Sequence, residues 1–301
     1  MLKVAVSNKY AHSLPAGHRF PMEKYELLPD QLLYEGTLTK ENFFEPEPLD
    51  LHWILQIHEK AYVDRLTDLT LSQSEIRKTG FPLSKELVER EIQIMGGSVE
   101  ASLHALEFGV AMNIAGGTHH AFTNRGEGFC LLNDIAISAN YLIETGKVQQ
   151  VLVVDLDVHQ GNGTAQIFQD APRVFTFSMH GASNYPLQKE KSDLDIPLQD
   201  GIEDNEYLTL LEENLIPLVD RIKPDFIIFQ SGVDVLRSDK LGRLGLTLQG
   251  CKERDRMVLE LAFDRKLPIM CCMGGGYSEK ISTIIEAHAN TYRLAQEIYF
   301  Y

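Results

Sequence analysis

Short apolar runs rich in β-branched residues alternate along this chain with longer segments whose apolar positions recur at helical spacing. The runs at 3–7, 110–115, 150–155, 173–178, 225–230 and 268–273 predict strands, and the segments at 86–108, 133–145, 204–221, 247–265 and 278–298 predict helices. Val151-Leu-Val-Val154 and Phe226-Ile-Ile-Phe229 are apolar on both faces, as strands are when helices cover both sides of a parallel sheet. The alternation therefore predicts an α/β chain, a single three-layer α/β/α domain with a mostly parallel central sheet. Up to about residue 80 the pattern reads as irregular helices and loops packed on that domain. Turn signals at 46–48 and 80–82 are not low-complexity linkers, and no internal repeat is visible, so one domain over 1–301 is expected.

Length and charge narrow the picture. A chain of 301 residues, 44% hydrophobic, can bury one large core. With 28 Lys+Arg against 43 Asp+Glu the net charge is -15, which repels phosphate backbones and anionic lipid, so neither nucleic acid nor membrane is an expected partner. The same field suits a cationic ligand, although an acidic surface is first a solubility device. Cys130, Cys251, Cys271 and Cys272 form no C-x-x-C pair, which argues against a disulfide framework or a thiolate zinc site and for a reducing, cytoplasmic setting. The polar residues that follow Val6 interrupt any signal-peptide core, and no apolar stretch nears the ~20 residues of a bilayer span.

In sheets of this kind ligands sit beyond the carboxyl ends of the strands. After the strand at 150–155 runs Asp155-Leu-Asp-Val-His-Gln-Gly-Asn-Gly163. In extended backbone Asp155, Asp157 and His159 would share one face, about 6.6 Å apart in steps of two. Carboxylate oxygen and imidazole nitrogen suit zinc or a similar divalent cation, and a catalytic site wants three protein ligands with one position left for water. Asp234, beyond the strand at 225–230 and the turn-permitting Gly232, supplies a third. A lone strand-end Asp is more often a cap or turn residue, and only the other ligands change that balance. Past the strand at 110–115 come Gly116-Gly-Thr-His-His120, two adjacent imidazoles that titrate near neutral pH, then Gly126-Glu-Gly-Phe-Cys130. The last strand runs into Gly274-Gly-Gly-Tyr277, whose phenol could donate to an oxyanion.

These motifs, in this order and over nearly the whole chain, resemble the zinc-dependent histone deacetylase family. They look most similar to its class IV branch and bacterial relatives, on Gly126-Glu-Gly-Phe-Cys130, Gln160 and Arg237-Ser-Asp-Lys-Leu-Gly-Arg-Leu-Gly245. The resemblance implies that Asp157, His159 and Asp234 hold the metal. It makes His120 the general base and acid, His119 its electrostatic partner supported by Asp155, and Tyr277 the donor to the substrate carbonyl. A structural potassium ion is implied among Asp155, Asp157, His159, Ser178 and Met179. Gly128, Phe129 and Gly275 would line an acyl-lysine channel, with Tyr185 as its opposite wall and Arg19, in His18-Arg-Phe-Pro21, lining an inner cavity. Asn162 stands where several branches carry an Asp hydrogen-bonded to the base, so a neutral amide here implies a lower pKa for His120.

The implied function is removal of acetyl or longer acyl groups from lysine side chains of proteins or peptides by metal-activated water. Hydrolysis of small acylated amines such as acetylpolyamines is the alternative within the class, and a non-catalytic acyl-lysine-binding module the alternative outside it. A binuclear arginase-type site is disfavoured because Gly161 replaces the needed carboxylate, and neither a phosphate-binding loop nor a G-x-S-x-G turn is present. A set of two Asp and one His accepts Fe2+ as well as Zn2+. Acyl-chain length and oligomeric state are not legible.

Overall fold

The doubly apolar runs become the middle of a sheet. The computed structural model describes residues 1–301. Its strands are β1 (Lys3–Ala5), β2 (Phe43–Phe44), β3 (Val110–Asn113), β4 (Val151–Asp155), β5 (Val174–Gly181), β6 (Leu194–Leu198), β7 (Phe226–Gln230) and β8 (Ile269–Cys272). They form one sheet in the order β2-β1-β3-β8-β7-β4-β5-β6, with every neighbouring pair parallel. Alternate residues of one strand feed opposite cores: Leu152 and Val154 of β4 face one apolar cluster, Val151 and Val153 the other.

Helices α1 (Lys24–Tyr34), α2 (Leu51–Leu55), α3 (Lys60–Thr67), α4 (Gln73–Thr79), α5 (Lys85–Phe108), α6 (Asp134–Glu144), α7 (Asn162–Phe168), α8 (Asp204–Ile222), α9 (Leu248–Asp264) and α10 (Ile281–Phe300) cover the sheet. Ala101 and Ala105 of α5 and the apolar stripe of α6 pack on the smaller cluster, while α8, α9 and α10 close the larger one. None of them is long and apolar enough to cross a membrane. All four cysteines are free and buried.

Three elements depart from the sequence expectation. β6 reads Leu-Asp-Ile-Pro-Leu, whose proline and carboxylate disguise it; as the edge strand it tolerates Pro197. β2 is two residues long, below what periodicity can register. α7 opens at Asn162 inside the motif itself, where Gly163 conceals a helix, and its first residues bury against the loop after β3.

In the sheet order β3, β8, β7 and β4 are consecutive, so the four polar strand ends emerge side by side. Beneath two of them sits Arg254 of α9, fully buried. Its guanidinium donates to the carbonyls of Leu156 (3.1 Å), Ser231 (3.1 Å) and Gly232 (2.6 Å) and pairs with Asp255 at 2.7 Å. Asp255 also accepts from Thr291 on α10 at 2.6 Å. Arg254→Met strands a buried carboxylate and three carbonyls, and is expected to cost about 3–5 kcal/mol, read as a lower urea midpoint. An unchanged midpoint would show these contacts to be dispensable.

Candidate active site

The chain beyond β4 is not extended. Asp155 Oδ1 accepts from the Asp157 amide (3.2 Å) and Asp157 Oδ1 from the His159 amide (3.0 Å), two successive side-chain turns that curl the backbone. The single face expected for Asp155, Asp157 and His159 therefore splits. Asp155 turns to His119, and Asp157 and His159 turn to Asp234. The last three offer ligand atoms that all lie within 4.8 Å of one another and are buried. His159 Nδ1 lies 3.0 Å from Asp157 Oδ1 and 3.1 Å from Asp234 Oδ2.

Hydrogen bonds from outside aim these carboxylates. Asp157 Oδ2 accepts from Gln230 Nε2 and from the Gly275 amide, both at 2.9 Å, and Asp234 Oδ1 accepts from the Val158 amide at 2.9 Å. A Cβ at Gly275 would stand 2.1 Å from Asp234 Oδ2, so only glycine admits this approach. Burial and the neighbouring Asp157 push Asp234 up to about 7. Burial opposes charge on His159, but the two carboxylates overcome it and hold it at about 10. The cluster thus retains a proton at neutral pH where a divalent cation would serve instead, and its two oxygens and one nitrogen are the donors zinc or iron takes.

The histidine pair hangs from a buried carboxylate. Asp134, at the start of α6, accepts from the amides of Gly117 (3.2 Å) and Thr118 (2.8 Å) and from the hydroxyls of Thr118 (2.7 Å) and Ser98 (2.6 Å). His119 Nδ1 meets Asp155 Oδ2 at 2.7 Å. Burial disfavours its cation, yet Asp155 and Asp157 outweigh that and raise it to about 9. His120 Nδ1 lies 2.6 Å from Asn162 Oδ1, an atom that only accepts, so the proton sits on Nδ1 and the Nε2 lone pair is free. Burial, then the charges of His119 and His159, lower His120 well below the ordinary imidazole range.

A carboxylate at position 162 would stabilise the His120 imidazolium and raise its pKa. The acidic limb of a pH–rate profile, where the base becomes protonated, is therefore expected to move to higher pH in Asn162→Asp. A limb that stays put or moves down refutes the assignment.

Tyr277 is positioned by its amide, which donates to Asp239 Oδ2 at 2.6 Å. Burial, then Asp234 and Asp157, raise its phenol well above 10, which keeps it a donor at neutral pH. Behind it lies a residue that sequence reasoning missed. Lys24 is 1% exposed, donates from Nζ to the Gly274 carbonyl at 3.0 Å, and stands 5.7 Å from the Tyr277 ring centroid. Burial lowers it to about 8 against the pull of Asp234 and Asp157. A lysine in the first turn of a polar helix reads as solvated, and nothing in the sequence pattern distinguishes it. An inner cavity of about 40 Å³, lined by Tyr25, Arg90, His119 and Tyr277 among others, adjoins Asp157 and His159. Arg19 does not reach it: that side chain is exposed and lines the outer mouth, and the cation that lines the inner cavity is Arg90.

The mouth is a cavity of about 280 Å³ lined by Phe129, Tyr185, Tyr277, His120 and His159 among others. Phe129 has φ +67°, a left-handed conformation that costs a non-glycine residue about 1–3 kcal/mol. Main-chain bonds from Gly128 to Lys78 O (3.0 Å) and from Phe129 to Thr79 O (2.8 Å) clamp it there. The Tyr185 ring stands 5.0 Å from His120, and its hydroxyl donates to Glu127 at 2.6 Å. Ser178 lies beside Asp155 in the β4–β5 register, with Met179 next along β5.

The family model described as "Histone deacetylase domain" matches residues 18–292. The chain belongs to the histone deacetylase family. An uncharacterized protein of Picosynechococcus sp. is 42% identical over 290 residues, covering 96% of this chain and 97% of that one. Histone deacetylase clr6 of Schizosaccharomyces pombe is 30% identical over 283 residues, covering 87% and 67%. An HDAC homologue from Aquifex aeolicus has the same fold, with TM-score 0.84 at 24% identity over 98% of this chain and 84% of that one. The present deacetylase-family chain puts its polar chemistry at the carboxyl edge of one parallel sheet.

Proposed function

We propose that this family member is a metal-dependent amidohydrolase that removes acyl groups from lysine side chains of proteins or peptides. One observation carries the reading: His120, Asp157, His159 and Tyr277 line one cavity, and Asp234 clusters with the second and third of them. A divalent cation held by those three ligands would supply Lewis acidity, lowering the pKa of a bound water and polarising a carbonyl. Zn2+ and Fe2+ both suit the donors. His120 Nε2 accepts the water proton and returns it to the departing amine. His119 keeps the neighbouring imidazole neutral by its charge, and Asn162 fixes the tautomer. Tyr277 donates to the carbonyl oxygen as it gains charge, while Phe129 and Tyr185 flank the aliphatic stem of the acylated lysine.

The similarity at Gly126-Glu-Gly-Phe-Cys130 and at residues 237–245 supports the class IV branch. The neighbouring Asp155 and Ser178 support a structural potassium ion held with Asp157, His159 and Met179, and the four free, buried cysteines support a reducing, cytoplasmic setting. The test is hydrolysis of acetyl-, octanoyl- and myristoyl-lysine peptides beside acetylpolyamines, with Zn2+ or Fe2+ supplied. Turnover of an acyl-lysine peptide that falls roughly 10²- to 10³-fold in kcat for Tyr277→Phe is expected. A protein that binds the metal and cleaves none of these, or only the polyamines, overturns the reading.

A further inference from the structure

The charge at the mouth is opposite to the charge of the molecule. Arg19, Arg77 and Lys78 line the outer cavity, and no Asp or Glu does. All three side chains are exposed, and none takes part in an ion pair or a side-chain hydrogen bond. Glu127, the carboxylate bound to the Tyr185 wall of the mouth, is engaged by Arg125 at 2.7 Å and by the Tyr185 hydroxyl at 2.6 Å. Arg77 and Lys78 end α4, where cations complement the helix dipole. That accounts for their place on the helix. It does not account for Arg19, which arrives from the loop before α1 to line the same opening.

We propose that this mouth selects acyl-lysine set among acidic residues, with Arg19, Arg77 and Lys78 receiving the flanking carboxylates. The proposal rests on the acyl-lysine reading above and adds the sequence context of the substrate. When the acylated side chain enters between Phe129 and Tyr185, the residues on either side of it stay outside, level with the three cations. At physiological salt charges more than about 8 Å away are largely screened, so the distributed surface acid that gives the net -15 does not cancel three cations at the opening. Rim charges of this kind set encounter rate and partner choice more than depth of binding. A cationic polyamine meets repulsion here, contrary to what the overall charge suggests.

The experiment is fluorescence anisotropy on the zinc-loaded full chain with labelled peptides that carry a methyl-ketone isostere of acetyl-lysine, which has no amide to cleave. One peptide has glutamate on both sides of the isostere, the other lysine. The acidic peptide is expected to bind at least about tenfold tighter at low salt, with the gap closing as salt rises. The triple variant Arg19→Ser, Arg77→Ser, Lys78→Ser is expected to lose the preference. Equal binding, a preference for the basic peptide, or an acidic preference that survives the triple change overturns the proposal. Acidic preference through these cations without hydrolysis of any acyl-lysine peptide would sink the proposed function and leave this inference standing. Hydrolysis without the preference does the reverse.

Discussion

Asp234→Asn is expected to abolish stoichiometric metal binding and to drop kcat/KM by roughly four orders of magnitude or more, beyond what a single proton-transfer group contributes. The substitution keeps the hydrogen bond from Val158 to Oδ1, so the fold around β7 survives. It removes the charge that, with Asp157, makes this pocket favour a cation. Burial already pushes Asp234 up to about 7, so metal must displace a proton, and affinity in the parent protein is expected to weaken as pH falls below neutrality. Metal content after dialysis, measured with activity across pH, checks both points. Full metal occupancy in Asp234→Asn would remove Asp234 from the ligand set.

His120→Ala is expected to cost about 10²- to 10⁴-fold in kcat while metal content stays at the parent level. That combination separates it from the Asp234 variant. His120 is not among the clustered ligands, and its ring centroid lies 5.9 Å from that of His159. His119→Ala serves as the comparison. It removes the imidazole that Asp155 and Asp157 raise to about 9, and with it a cation beside His120, so the remaining base is expected to titrate higher. A His120→Ala protein with near-parental kcat would transfer the base role to another group.

The sequence disclosed the site more fully than the edges of the fold. Asp157, His159, Asp234 and the histidine pair were legible because apolar strands end abruptly in ligand-bearing residues, a contrast that survives without coordinates. Their grouping was not. Extended geometry joined Asp155 to Asp157 and His159, whereas two side-chain turns send Asp155 to His119 instead. The buried supports were invisible because their side chains contradict the residue type. Lys24, Arg90 and Arg254 are charged residues on helices, and burial of such groups is decided by tertiary partners. Asp134 and Asn133 registered only as a helix start, although Asp134 carries the loop that presents both histidines. Arg19 and Lys24 show the same limit: five residues apart, one lines the outer mouth and the other is buried against the Gly274 carbonyl.

The position of β8 has a consequence for the order in which the protein comes into being. β8 is made last of the eight strands yet lies in the middle of the sheet, between β3 and β7. Until it docks, β3 with its histidines and β7 with Asp234 have no common neighbour, and the Gly275 amide that fixes Asp157 is missing. A nascent chain can have Asp157, His159 and Asp234 all synthesised and still lack the pocket that organises them. The grouping of these side chains is thereby reserved for the finished molecule, and pairing of such high sequence separation makes its closing step slow.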